Sequence, residues 1–331
     1  MPRKLDHVSL ALSKNLEDHG AENLSESELA DLMQQFMADY NAGRIPATSS
    51  RPLAADDYLD MMDDAETDKE RLKYAKKALD ADPDNLDAAR EVIALTSRTT
   101  YESVVRLSAL MEQGSRQMED GGYFTDCMGD FWLEVETRPY MRLCKDYADA
   151  LRECGMMKKA AAEYERMLEL CNDDNLGVRY DLLNIYAALE DGDGARALAE
   201  QFEDDTTTSM LLPLTVLYFK LGQIEDAEKS LTLLVQRNKD FRKFVNIVAS
   251  GNEEKLQAQM EGLSPYGYRP NTMDEIMLCV FNNADVFTLN AGFFEWADVY
   301  LKAAKKMDAA KKRAEQPEKA KKGDSTTRGK K

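Results

Sequence analysis

The stretch Ala150 to Leu170, ALRECGMMKKAAAEYERMLEL, decides how this chain folds. Gly155 marks a turn, and Ala160, Tyr164 and Leu168 follow at four-residue intervals, which places them on one helical face. The arrangement recurs in YAALEDGDGARALAEQF (Tyr186 to Phe202) around Ala195. It recurs again in YFKLGQIEDAEKSLTLL (Tyr218 to Leu234), with Gly222 in the turn and Ala227 after it. The three alanines stand 35 and 32 residues apart. A small residue at one recurring offset is what two crossing helices need in order to approach closely. The spacing therefore predicts an all-α array of helical hairpins, each buried on one side by the pair before and on the other by the pair after.

Outward from that core the pattern continues. In YAKKALDADPDN (Tyr74 to Asn85), Ala75, Ala78 and Leu79 precede Pro83, which prevents the helix from continuing. Residues 5–17 and 25–41 read as two amphipathic helices, the second opened by Ser25 and Glu28 at capping-box spacing. NAGRIPATSSRP (Asn41 to Pro52) is a break in the pattern. The expected division is an N-terminal helical segment over 1–50, a repeat domain over 51–301, and a basic helix with a disordered tail over 302–331. Phe293, Phe294, Trp296 and Tyr300 are expected to seal the end of the array.

Composition narrows the function. Apolar residues make up 44% of the chain, enough for a core, and no run of about 18 apolar residues would span a membrane. The N-terminus does not read as a signal peptide. Cys127, Cys144, Cys154, Cys171 and Cys279 form no C-x-x-C pair, which suits reduced thiols in a cytoplasm. With only His7 and His19, most zinc sites and histidine acid–base chemistry are excluded. Net charge is −18, yet Lys302 to Lys331 carries 12 basic and 4 acidic residues, a local +8 that leaves −26 on the rest. Such a body repels nucleic-acid phosphates; only the tail would attract them.

Beyond the repeat itself, DFWLEVETRPYMRLCKDYADALRECG and YERMLELCNDDNLGVRYDLLNIYAALED resemble a group of bacterial tetratricopeptide proteins that carry an FW…ETRPYMR block. Their C-terminal portion is similar to the suppressor-of-tumorigenicity-seven family. The tetratricopeptide unit of about 34 residues agrees with the alanine spacing. The resemblance implies a right-handed α-solenoid and an interaction role, with no general biochemical activity to carry over. After residue 235 the counterparts NKDFRKFVNIV and SPYGYRPNTMDEI lack the histidine and proline of the family's blocks.

Candidate residues follow from the hairpins. Thr137 reads as a helix cap, with Pro139 in the first turn and Trp132 packed against the incoming helix. Asn175 reads as the cap of the next helix, with Gly177 allowing close approach. Arg138, Tyr140 and Arg142 serve either that helix start or a recognition cluster. Arg142, Lys145 and Asp149 share one stripe, with Tyr180 and Asn184 on the next and Arg179 or Tyr180 facing the same groove as Arg142; together they form the expected partner-binding face. The bland reading of the same residues is a solvated face with ordinary pairs such as Lys145 with Asp149. Asp149 stands where a chaperone-tail receptor needs asparagine, so that role is improbable. Asp56-Asp57, Asp63-Asp64 and Glu203-Asp204-Asp205 lack calcium-loop order and read as solvated surface. Gly192 and Gly194 read as a helix turn rather than a phosphate cradle.

The expected function is a non-catalytic scaffold that holds an unidentified partner protein or peptide in a concave groove. No cofactor, metal, membrane or small-molecule substrate is implied. The alternative is a nucleic-acid- or ribosome-associated factor that uses the basic tail.

Overall fold

A computed structural model describes residues 12, 15–16, 19–20, 24–41, 53–252, 254–263, 267–288 and 290–315. Helix accounts for 75% of the described residues, the helices pack in adjacent pairs, and no strand forms among them. Two compact units divide the chain, Met1–Leu182 and Leu183–Lys331. Most of the expected helix at 5–17, the break at 42–52 and the tail beyond 315 lie outside the described residues.

The first unit contains α1 (Glu26–Asn41), α2 (Ala55–Asp63), α3 (Asp68–Ala81), α4 (Leu86–Thr96), α5 (Thr100–Asp120), α6 (Tyr123–Asp126), α7 (Arg138–Glu153) and α8 (Met157–Leu170). Helix α9 (Val178–Leu189) carries the division between the units. Short polar side chains start these helices by satisfying amides that lack an intrahelical acceptor. Ser25 and Glu28 form the expected reciprocal pair, with the Ser25 amide donating to Glu28 Oε2 at 2.9 Å. Thr67, Asn85 and Thr99 accept from the amides of Glu70, Ala88 and Glu102 in the same way. Helix α3 stops at Ala81, just ahead of Pro83, and its Ala75 and Ala78 are wholly buried against Leu59 and Met62 of α2.

The α7–α8 hairpin turns at Gly155, whose φ of +73° strains any residue with a Cβ. Ala160 and Tyr164 are fully buried behind it, as the repeat spacing requires. Another close approach lies across this hairpin from α5. A Cβ on Gly114 would stand 2.8 Å from the Tyr140 ring, which is itself fixed by the Ser115 and Arg166 side chains. Alanine in an exposed helix interior is better than glycine by about 1 kcal/mol. At this site the clash outweighs that gain, and Gly114→Ala is expected to lose about 1–2 kcal/mol in urea unfolding. A stabilised variant would show that the α5–α7 contact has slack.

Two helix starts differ from expectation. Thr137 does not cap α7: it is fully buried, and its hydroxyl donates to the carbonyls of Phe131 and Glu134 (3.0 Å for the latter). That bond ties down the preceding loop, where Phe131 stacks on Phe124 and its amide donates to the Leu170 carbonyl at 3.0 Å. Pro139 does lie in the first turn. At α9 the cap is Asp174, whose carboxylate accepts from the amides of Val178 (2.8 Å) and Arg179 (3.0 Å). Asn175 instead accepts from the Cys171 thiol. Gly177 supplies a positive φ of +69° rather than close approach, since a Cβ there would meet only the Tyr180 ring at ordinary contact distance.

The second unit contains α10 (Gly192–Gln201), α11 (Thr208–Lys220), α12 (Ile224–Arg237), α13 (Phe241–Ala249), α14 (Glu254–Glu261), α15 (Met273–Asn282), α16 (Ala284–Thr288) and α17 (Ala291–Glu315). Ala195 and Ala227 are fully buried, like Ala160 in the first unit. Gly192 and Gly194 form the first turn of α10, where Asp191 accepts from the Gly194 amide at 2.9 Å. Capping also works at long range here. The buried Glu275 carboxylate accepts from the amides of Thr208 (2.9 Å) and Asn271 (2.6 Å), so α15 satisfies the free start of α11. Phe293, Phe294, Trp296 and Tyr300 join Phe219 and Phe244 in one aromatic cluster.

Candidate docking groove in the first unit

Helices α4, α5 and α7 enclose an open groove of about 590 Å³. Its walls include Ala94 near the end of α4, Arg98 in the turn that follows it, Ser103 on α5, and Asp146, Asp149 and Glu153 on α7. The three α7 carboxylates follow one another at three- and four-residue steps, so the helix presents them as a single stripe.

Ion pairs hold the wall between α4 and α7. Arg142 grips Asp87 with two bonds, Nε to Oδ1 at 2.9 Å and Nη2 to Oδ2 at 2.6 Å. Arg90 adds a bond to Asp87 (2.9 Å) and reaches Asp146 at 2.7 Å. Burial works to raise the Asp87 pKa, but the Arg142 hydrogen bond and the Arg90 charge outweigh it and hold the carboxyl at about 2. Burial likewise disfavours the Arg90 charge, and Asp146 and Asp87 override it. A second network continues along α7. Lys145 bridges Asp149 (2.9 and 3.1 Å) and Asp181 (3.2 Å), Arg152 also pairs with Asp181 (3.0 Å), and the Tyr164 hydroxyl donates to Asp149 at 2.5 Å. Desolvation would discharge Lys145, yet the two carboxylates keep its pKa raised.

The chemistry of this arrangement is charge held in fixed positions. Burial pushes the Cys144 thiol up to about 12, so it is no nucleophile. Among the described residues no three His, Cys, Asp or Glu side chains converge as metal ligands. No helix among them is long and apolar enough to cross a membrane.

The structure redistributes the expected partner-binding residues. Lys145 and Asp149 stay together, and Asp149 lines the groove. Tyr140 is fully buried among Phe124, Phe131 and Gly114, so it packs the core rather than a face. Arg142 is only 8% exposed because Asp87 draws it inward, and Asn184 is 1% exposed. None of these three stands on an open face, which corrects that expectation. Arg138 turns back on its own loop, with Nε donating to the Trp132 carbonyl at 2.8 Å and the guanidinium over the indole. Arg179 pairs with Asp174 at 2.9 Å and lies 4.4 Å from the centre of the Tyr180 ring, so these two reinforce the start of α9. Asp146 and Glu153 were missed, although their spacing from Asp149 was visible in the sequence. Arg90 and Arg98 carried no comparable signal.

No family model matches the chain, and no curated protein matches it. The tetratricopeptide resemblance therefore rests on the chain's own residues.

Proposed function

We propose that this protein is a non-catalytic interaction scaffold of the tetratricopeptide type, its hairpins forming a right-handed α-solenoid in a cytoplasmic setting. In this reading a partner segment lies in the groove of α4, α5 and α7. The observation that carries it is an open groove whose α4–α7 wall is locked by the Arg142–Asp87–Arg90–Asp146 chain. Walls already fixed before binding spare the complex the entropy of ordering them. The buried alanines 160, 195 and 227 support the hairpin repeat.

The test is steric. Ala94 is exposed on the groove wall, and Ala94→Trp fills the space without disturbing any ion pair. Affinity capture compares the unaltered chain, Ala94→Trp, and Glu119→Trp, which alters an exposed position at the far end of α5. A partner retained by the unaltered chain and Glu119→Trp, and lost by a folded Ala94→Trp, supports the groove. A partner retained by Ala94→Trp as well removes the groove from consideration.

A further inference from the structure

We infer that α17 of one copy of this chain docks its exposed stripe on α1 of a second copy, a heterologous contact that joins copies head to tail. Neither helix lines the groove of α4, α5 and α7, so the inference stands apart from the docking role proposed above. Two observations carry it: each helix leaves an apolar stripe uncovered, and the two helices have opposite charge. On α17, Phe293, Phe294, Ala297 and Leu301 are buried. Past Leu301 the helix continues from Lys302 to Met307 with no buried residue. Val299 and Met307 are 69% and 62% exposed, with exposed Ala303 midway, and four-residue steps put all three on one stripe. Lys305 and Lys306 in the same stretch are exposed and enter no ion pair among the described residues. Residues 302–315 hold six Lys or Arg against Asp308 and Glu315, a net +4. On α1, buried Phe36 anchors the inner side, while Met33, Met37 and Tyr40 form an exposed stripe at steps of four and three. This helix holds Glu26, Glu28, Asp31 and Asp39 and no Lys or Arg, a net −4.

Charge selects among the ways of covering these stripes. Pairing α17 with α17 sets +4 against +4, and pairing α1 with α1 sets −4 against −4. Only α17 on α1 joins opposite signs. A nucleic acid or an anionic lipid surface would suit α17, but it would leave the α1 stripe bare and meet repulsion from the acidic body. The shapes agree as well. Ala303 leaves a notch between Val299 and Met307, and the unbranched, flexible Met33 and Met37 side chains can fill it. One helix pair falls among the small, transient interfaces, under about 1,200 Å², so a dissociation constant on the order of 10–100 µM is expected.

The experiment is sedimentation velocity on the full chain at low salt, from about 5 to about 200 µM, where the mean mass is expected to rise above that of the monomer with concentration. Two variants separate the surfaces. Val299→Glu places an acid in the α17 stripe, and Met37→Lys places a base in the α1 stripe. Both positions are exposed, so circular dichroism should show the helix content of the unaltered chain. Each variant alone is expected to stay monomeric over the whole range, since its altered stripe meets like charge. Mixed in equal amounts they should associate again and stop at a pair, because Met37→Lys keeps its α17 and Val299→Glu keeps its α1. Raising NaCl from about 50 to about 500 mM should weaken the association of the unaltered chain, as screening of opposite charges requires. Association kept by Met37→Lys alone would assign the contact to α17 with itself, and association kept by Val299→Glu alone to α1 with itself; either overturns the inference. So does a mixture that stays monomeric, an association that salt strengthens, or an unaltered chain that is monomeric throughout.

Discussion

Replacing Arg142 with methionine is expected to cost the fold about 3 kcal/mol, measured by urea unfolding at pH 7. Methionine keeps most of the stem volume, so the loss reports the charge rather than a cavity. The Asp87 side chain is 5% exposed and would be left with Arg90 as its one remaining counter-charge from the pair. Breaking a buried pair from one side is costly because a desolvated charge stays behind. The double variant Asp87→Leu/Arg142→Met removes both charges and should recover most of the loss. If the single variant costs under about 1 kcal/mol, water reaches Asp87 and the wall of the groove is not locked. Acid gives an independent measure of the same pair. The Asp87 pKa is depressed on folding from its ordinary 3.8 to about 2. Its contribution, about 2 kcal/mol, is therefore fully present above pH 4 and disappears as pH falls from about 4 to about 2. Arg142→Met should flatten that part of the stability profile.

Phe293→Ala is the other large effect, with about 3–5 kcal/mol expected from transfer and cavity terms together. Phe293 is fully buried, with ring centroids of Phe294, Phe219 and Trp296 at 5.1, 5.7 and 5.9 Å. All three contacts are edge-on or tilted arrangements that favour the ring quadrupoles beyond simple burial. Phe293→Leu fills much of the space and should cost roughly half as much. Trp296 reports the site directly, because its emission is expected to shift red as water enters the cluster. An alanine variant that loses less than about 1 kcal/mol would mean the cluster collapses around the gap.

The legible part of the candidate site was the part written on a single helix. Lys145 with Asp149 is a four-residue pair, and α7 displays it as the sequence indicated. Arg142 was misplaced because an arginine's destination depends on the nearest carboxylate in space, and Asp87 lies 55 residues earlier. The same reason hid the groove, whose walls come from three helices. Thr137 and Asn175 were both plausible caps by residue type. Each was displaced by a competing bond, Thr137 to the loop carbonyls of Phe131 and Glu134, and Asn175 by the better-placed carboxylate of Asp174.

By itself, the sequence determined what depends on neighbours within about four residues. It set the helices by their apolar period, the α7–α8 turn at Gly155, the stop before Pro83, and the buried positions of Ala160, Ala195 and Ala227. Tertiary structure alone decided which charges meet. It paired Asp87 with Arg142, tied Asp146 to Arg90, and placed Glu275 over the start of α11. Backbone preference and helical periodicity act locally, whereas the desolvation of a charge is settled only by what folding brings beside it.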